Sequence, residues 1–291
     1  MQKIPFTEPD SSCKSPELAD LTPEQENIYE NVFKHFREKE ASLSTAEKMW
    51  LTKECFLRYC RAAKWDQPHI VKRLEATLEW RKTFGVNDLT ADHVSHEQES
   101  GKQVILGWDL DNRPCLYLLP GKQNTKASHT QVEALVFMLE RVIDFMVPGQ
   151  DQLALLIDFQ PFKVPNSQAS KLPNLSTGRE VLSILQDHYP ERLGKALLTN
   201  MPMLAKLFLK MIHPFIDPLT KEKLVFSKPF PDYVPKDQLD SLYGGECDFQ
   251  FDFDVYWPAL QEIADARRQR YVERFEELGG TIGLSEADMR S

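Results

Sequence analysis

Leu153-Ala154-Leu155-Leu156-Ile157-Asp158-Phe159 is a nearly unbroken apolar run of strand length, and it constrains the chain more than any other feature. Strict alternation would mark a strand with one wet face. An unbroken run marks a central strand covered on both faces. A helix opened by Thr177-x-x-Glu180 and stopped by Pro190 comes next, then a second run, Leu197-Leu198-Thr199-Asn200. A helix over roughly 203–213 leads to a third, Lys223-Leu224-Val225-Phe226. Strand, helix, strand, helix, strand implies parallel pairing through crossover helices. Upstream, Val104-Ile105-Leu106-Gly107-Trp108 and Cys115-Leu116-Tyr117-Leu118-Leu119 flank Asp111-Asn112, a hairpin signal. Helical period returns over 131–146 and ends at Pro148-Gly149; a last helix runs from Trp257 to Leu278 and ends at Gly279-Gly280.

The first third reads differently. Residues 1–21 are polar and rich in Pro and Ser, and are expected to form a loose tail. Thr22-Pro23-Glu24-Gln25 supplies a cap, a first-turn proline and a capping box, leading into an apolar face of Ile28, Val32 and Phe36 with Tyr29 and Phe33. Ser44-x-x-Glu47 marks another start; helical patterns continue through Phe56, Leu57, Tyr59 and Cys60. A further helix carries Val71, Leu74 and Leu78 to a stop at Gly85. The expected class is α/β: a tail (1–21), an all-helical lobe (22–90), a lobe with a mostly parallel sheet (91–255), and a C-terminal helix and tail (256–291).

Charge and motifs narrow the function. With 35 basic against 44 acidic residues the net charge is −9, which argues against general nucleic-acid binding. A local basic patch can still meet a membrane. Five cysteines, odd in number and without a C-x-x-C pair, read as free thiols. No run approaches the roughly 18 apolar residues of a membrane span, and the start has no signal-like core, so a cytoplasmic protein with peripheral, reversible membrane contact is expected. There is no G-x-S-x-G, no phosphate-binding glycine loop and no H-E-x-x-H, and the expectation is no enzyme, no metal and no cofactor. His93-x-x-His96 with Glu97 and Glu99 is the most metal-like cluster, but no cysteine or aspartate completes a zinc set. Leu204, Leu207, Phe208, Met211, Ile212 and Phe215 repeat at helical spacing, with Lys206, Lys210 and His213 on another face. By periodicity this is a crossover helix packed on the sheet.

Several segments together resemble the CRAL-TRIO lipid-binding family. They are Arg58-Tyr59-Cys60-Arg61-Ala62-Ala63-Lys64-Trp65-Asp66 with Trp80-Arg81-Lys82-Thr83-Phe84-Gly85; His188-Tyr189-Pro190-Glu191-Arg192; His213-Pro214-Phe215-Ile216-Asp217-Pro218-Leu219-Thr220 with Lys223; and Leu242-Tyr243-Gly244-Gly245. Asp254-Val255-Tyr256-Trp257-Pro258 and the ending from Gly279 to Glu286 are similar to fungal phosphatidylinositol transfer proteins of the pleiotropic-drug-resistance branch. The resemblance implies a lipid cavity closed by a mobile gate helix, phosphatidylinositol as ligand and sterol as a second one. It implies exchange between membranes, with lipid droplet, endoplasmic reticulum or cell periphery as places of contact. Two alternatives stand beside exchange: a loaded sensor presenting lipid to a phosphatidylinositol kinase, and a carrier mainly of sterol or another hydrophobe.

Burial of acyl chains supplies the driving force, at about 0.8 kcal/mol per CH₂, so specificity falls to the headgroup. Its phosphate wants cations and N–H donors; its ring hydroxyls want a carboxylate. The resemblance assigns this work to Glu191, Thr220 and Lys223, and to Arg61 and Lys64 in the helical lobe. Arg58 and Arg192 read as structural, pairing with nearby carboxylates. The resemblance turns 203–213 into the gate, with Leu209, off the main stripe beside the lysines, meeting the bilayer. Two positions depart from the family pattern. Ala63 stands where many relatives carry arginine, and Lys163 stands where a serine associated with phosphatidylcholine would fall, which counts against phosphatidylcholine exchange.

Overall fold

The computed structural model describes residues 1–17, 19–163 and 175–291. The helical lobe holds α1 (Pro23–Arg37), α2 (Thr45–Trp50), α3 (Lys53–Ala62) and α4 (Gln67–Phe84). The capping box expected at α1 forms, and the helix start marked by Ser44 and Glu47 carries a second. Thr22 and Gln25 exchange side-chain and backbone bonds at α1, and Ser44 and Glu47 do so at α2. Gly85 closes α4 at φ 74°, a left-handed cap. The lobe core gathers Val32, Phe36, Phe56, Tyr59, Ile70 and Leu74.

After α5 (Ala91–Gln98) come β1 (Gln103–Trp108) and β2 (Pro114–Leu118), α6 (His129–Asp144), β3 (Leu153–Asp158), α7 (Leu175–His188) and β4 (Leu193–Thr199). The chain continues with α8 (Met203–Ile212), α9 (Pro218–Glu222), β5 (Leu224–Phe226), α10 (Phe253–Glu277) and α11 (Glu286–Met289). Among the described residues the five strands lie side by side in chain order. The β1–β2 pair is antiparallel and the other three pairs are parallel, as the crossover pattern demands. Along β3, Ala154, Leu156 and Asp158 are buried, while Leu155 and Ile157 on the opposite face are only half-buried. Leu118 pairs with Ile157 and is half-buried too, so one face of the central sheet is an incompletely covered apolar floor.

Four expectations shift. Residues 1–17 are irregular but pinned rather than loose. Gln2 exchanges backbone bonds with Asp248 and Gln250, Lys3 pairs with Asp252 at 2.9 Å, Lys14 N–H reaches the Leu110 carbonyl, and Cys13 is buried. β4 begins at Leu193, earlier than the apolar run suggests, because its register with Leu153 and the bond from Ala196 N–H to the Lys223 carbonyl carry Gly194 and Lys195 into the sheet. α10 begins at Phe253, so the boundary expected at 255–256 falls inside a helix and Pro258 lies within it. Burial of Tyr256, Trp257 and Leu260, with the Tyr256 hydroxyl bonded to both Ile105 N–H and carbonyl, outweighs the one backbone bond a proline removes.

The fourth concerns α8, which is apolar around most of its circumference. It buries Ala205 and half-buries Phe208, Leu209 and Ile212, while Met203, Leu204, Leu207 and Met211 face outward at 81%, 65%, 53% and 44% exposure. The expected stripe is therefore split between two faces. Leu209, expected at the membrane, belongs to the inner one. On the inner side α8 packs against α7: a Cβ on Gly178 would sit 2.7 Å from the tip of the Phe208 ring, so any larger residue there would make that ring shift.

Candidate functional site

The turn between α7 and β4 is held from several sides. His188 stacks on Trp80 at 4.1 Å, and its Nδ1 lies 2.9 Å from the Thr77 hydroxyl. The Tyr189 hydroxyl donates to Glu140 at 2.7 Å. Arg192 donates to the Asp151 carbonyl at 2.9 Å and pairs with Glu286 at 3.2 Å. Between these anchors Glu191 adopts φ 59°, a left-handed conformation that costs free energy in a non-glycine residue and persists only when neighbours over-determine it. Burial pulls the His188 imidazole down to about 4. An imidazole whose folded value lies below its unfolded one favours the folded state fully only above the unfolded value. Stability should thus fall as pH drops from about 6.5 through about 4. Replacing His188 with Gln should flatten that part of a stability-versus-pH curve measured by urea denaturation; an unchanged slope would assign it elsewhere.

The Glu191 carboxylate meets Lys223 Nζ at 3.2 Å, with both side chains largely buried. Lys223 ends α9, whose start is capped by Asp217 accepting from Thr220 N–H at 2.9 Å. Lys223 N–H donates to the Thr220 carbonyl, so both residues share one short turn. Arg61, Lys64, Asp151 and Glu191 line a cavity of about 670 Å³ closed on another side by Pro16, Asp20 and Leu21. Arg61 donates to Asp151 at 3.4 Å. Lys64 and Trp65 both take positive φ, 52° and 63°, as the chain leaves α3. Four of the five expected headgroup residues are thus joined through Glu191. Thr220 is tied in by its place beside Lys223 and is not part of the cavity lining. Lys163 is exposed past the end of β3, and 164–174 lie outside the described residues.

Arg58 and Arg192 do pair with carboxylates. Glu286 takes Arg58 at 2.7 Å and Arg192 at 3.2 Å, and accepts from the Thr52 hydroxyl at 3.0 Å. Burial alone would raise the Glu286 carboxyl; Arg192, Arg58 and Arg290 outweigh it and hold it well below the usual range. Arg58 also shares Asp151 with Arg61, so this ion cluster backs the cavity wall. Sequence reading missed Glu286, Asp151 and the N-terminal wall. Glu286 stands in the C-terminal ending that carries the branch resemblance, the one signal that could have flagged it.

The histidine cluster comes apart. His93 pairs with Glu133, His96 with Glu99, and Glu97 turns inward to Lys102 and Thr125. Among the described residues no group of three His, Cys, Asp or Glu is set to hold a metal. No helix among them is long and apolar enough to cross a membrane.

Comparison with known proteins gives the family. Residues 98–245 match the CRAL/TRIO domain and 28–76 the CRAL/TRIO N-terminal domain. A CRAL-TRIO domain-containing protein of Schizosaccharomyces pombe is 46% identical over 98% of the chain, which spans 29% of that protein's length. Phosphatidylinositol transfer protein PDR17 of Saccharomyces cerevisiae is 39% identical over 99% of the chain and 89% of its own length. The crystal structure of Sfh5 shares the fold, with a TM-score of 0.61 at 17% identity, covering 88% of this chain and 99% of that one. With both family domains matched in order and near full-length similarity to PDR17, the chain belongs to the CRAL/TRIO family.

Proposed function

We propose that the protein binds phosphatidylinositol and exchanges it between membranes without altering it. The observation that carries this reading is the Glu191–Lys223 pair: a carboxylate for inositol hydroxyls and an ammonium for the phosphate, on a strained turn beside a cavity with Arg61 and Lys64. Similarity to a relative named as a phosphatidylinositol transfer protein supports the same ligand. The floor of Leu118, Leu155 and Ile157 suits acyl chains, and we assign sterol as a second ligand there on the branch resemblance alone. Lys163 disfavours phosphatidylcholine. Identifying the lipids that co-purify with the protein by mass spectrometry tests the ligand: phosphatidylinositol is expected as the major species, and a choline lipid in its place would refute the assignment.

The outward face of α8 serves as the membrane contact. Met203, Leu204, Leu207 and Met211 stand exposed beside Lys206 and Lys210, the composition of an interfacial helix that inserts shallowly among anionic headgroups. Leu207→Asp should therefore slow transfer between vesicles severalfold while leaving lipid occupancy at saturation near wild type. Loss of both together would place Leu207 in the lipid pocket, and loss of neither would remove α8 from docking.

A further inference from the structure

A second charged crevice lies where α2, α4, α6, α10 and α11 meet, and shares no lining residue with the cavity beside Glu191. It holds about 90 Å³, against about 30 Å³ per water in the liquid, which is room for one tetrahedral oxyanion. Arg81, Arg192, Arg267, Arg268 and Arg290 line it. Its carboxylates are Glu140, Asp144 and Glu286, which leaves an excess of two positive charges on a chain that is acidic as a whole.

The excess is not shared evenly. Arg81 meets Glu140 at 2.9 Å, Arg192 meets Glu286 at 3.2 Å, and Arg268 meets Asp144 at 3.3 Å. Arg267 and Arg290 are less well served. The carboxylate nearest Arg267 is the exposed Glu8 at 3.6 Å, and the one nearest Arg290 is Glu286 at 3.8 Å, which is already engaged by Arg58 and Arg192. Backbone carbonyls of Thr7 and Met146 accept one bond from each, but a carbonyl does not neutralise a guanidinium. Both side chains are mostly buried, at 20% and 10% exposure. Each is braced on a ring, Arg267 on Phe145 at 5.3 Å and Arg290 on Tyr271 at 5.1 Å. Burial, with the charges of Arg290 and Arg270, pulls Arg267 below its ordinary value despite Glu8.

We propose that this crevice is a binding site for a phosphate monoester or free phosphate, held between Arg267 and Arg290. Two rigid, ring-braced forks with spare donors and unbalanced charge suit a dianion with several acceptor oxygens, and suit a monovalent halide poorly.

The test uses the full chain. Inorganic phosphate is titrated at constant ionic strength against sodium chloride, monitored by Tm and calorimetry. A saturable, one-site rise in Tm of a few degrees is expected in wild type. It should be lost in the double variant Arg267→Gln, Arg290→Gln, with phosphatidylinositol transfer retained. Arg267→Lys, a milder change, should weaken phosphate binding several-fold, which guards against a double variant that fails to fold. Soluble inositol 1-phosphate and vesicles bearing phosphatidylinositol 4-phosphate distinguish the source. Equal response to inorganic phosphate and inositol phosphate marks a free-anion site; binding to those vesicles that depends on Arg267 and Arg290 marks a lipid headgroup. A wild-type response no larger than that to chloride, or an undiminished phosphate response in Arg267→Lys and the double variant, overturns the proposal.

Discussion

Glu286→Ala should destabilise the protein by about 3–5 kcal/mol, the cost of stripping one partner from a buried ion cluster. The substitution leaves Arg58 and Arg192 buried with much of their compensating charge gone, and deprives the Thr52 hydroxyl of its acceptor. It also removes the Glu286 side-chain hold of the C-terminal segment on the helical lobe, leaving backbone bonds such as Gly283 N–H to the Leu51 carbonyl and Lys53 N–H to the Leu284 carbonyl. The depressed carboxyl sets the sign with pH. A carboxyl held below its unfolded value stabilises fully above that unfolded value, about 4.3 for glutamate, and its contribution fades as pH falls through the folded one. The gap between wild type and Glu286→Gln in urea denaturation should be constant from neutrality to about pH 5 and then narrow. A loss below about 1 kcal/mol at pH 7 would mean the arginines find other partners.

Glu191→Ala and Lys223→Ala should each weaken phosphatidylinositol binding by about tenfold or more, corresponding to about 1.5–3 kcal/mol for a charge-assisted hydrogen bond in a desolvated site. Each deletion also leaves the other member of a largely buried pair without its 3.2 Å partner. Apolar burial of acyl chains is untouched, so affinity for a lipid lacking the inositol ring should change far less. Equilibrium binding of labelled phosphatidylinositol, with circular dichroism to establish folding, measures both. Wild-type affinity in both variants would remove the pair from the headgroup site.

What the sequence shows plainly is what short-range physics writes. The capping boxes at Thr22 and Ser44 involve partners three residues apart, and the hairpin turns at Asn112, which takes φ 67°. The apolar run of β3 is legible because a strand covered on both faces has nothing to alternate. Long-range choices are not written that way. Pro258 looks like a first-turn residue until Tyr256 is seen bonding to Ile105. The phase of α8 is illegible because a helix apolar nearly all round has no single inward face; the side it turns in packs Phe208 against Gly178 of another helix. The N-terminal segment gains its order from backbone bonds to Leu110, Asp248 and Gln250, all far along the chain.

The site divides along the same line. Glu191, Thr220, Lys223, Arg61 and Lys64 are named by motif resemblance, and no spacing brings their three segments together. The fold does so for Glu191 and Lys223 by direct contact, and for Arg61 and Lys64 through a shared cavity. Asp151 carries no local motif, and Glu286 only its place in the C-terminal ending. Their importance is electrostatic and appears only once Arg58, Arg61 and Arg192 converge on them.

Transfer of radiolabelled phosphatidylinositol from donor to acceptor vesicles by the purified chain tests the central claim most directly. The account predicts protein-dependent transfer with chemically intact product, and little transfer of phosphatidylcholine under the same conditions. Phosphatidylinositol transfer no faster than in buffer alone, by protein shown to be folded, would contradict it.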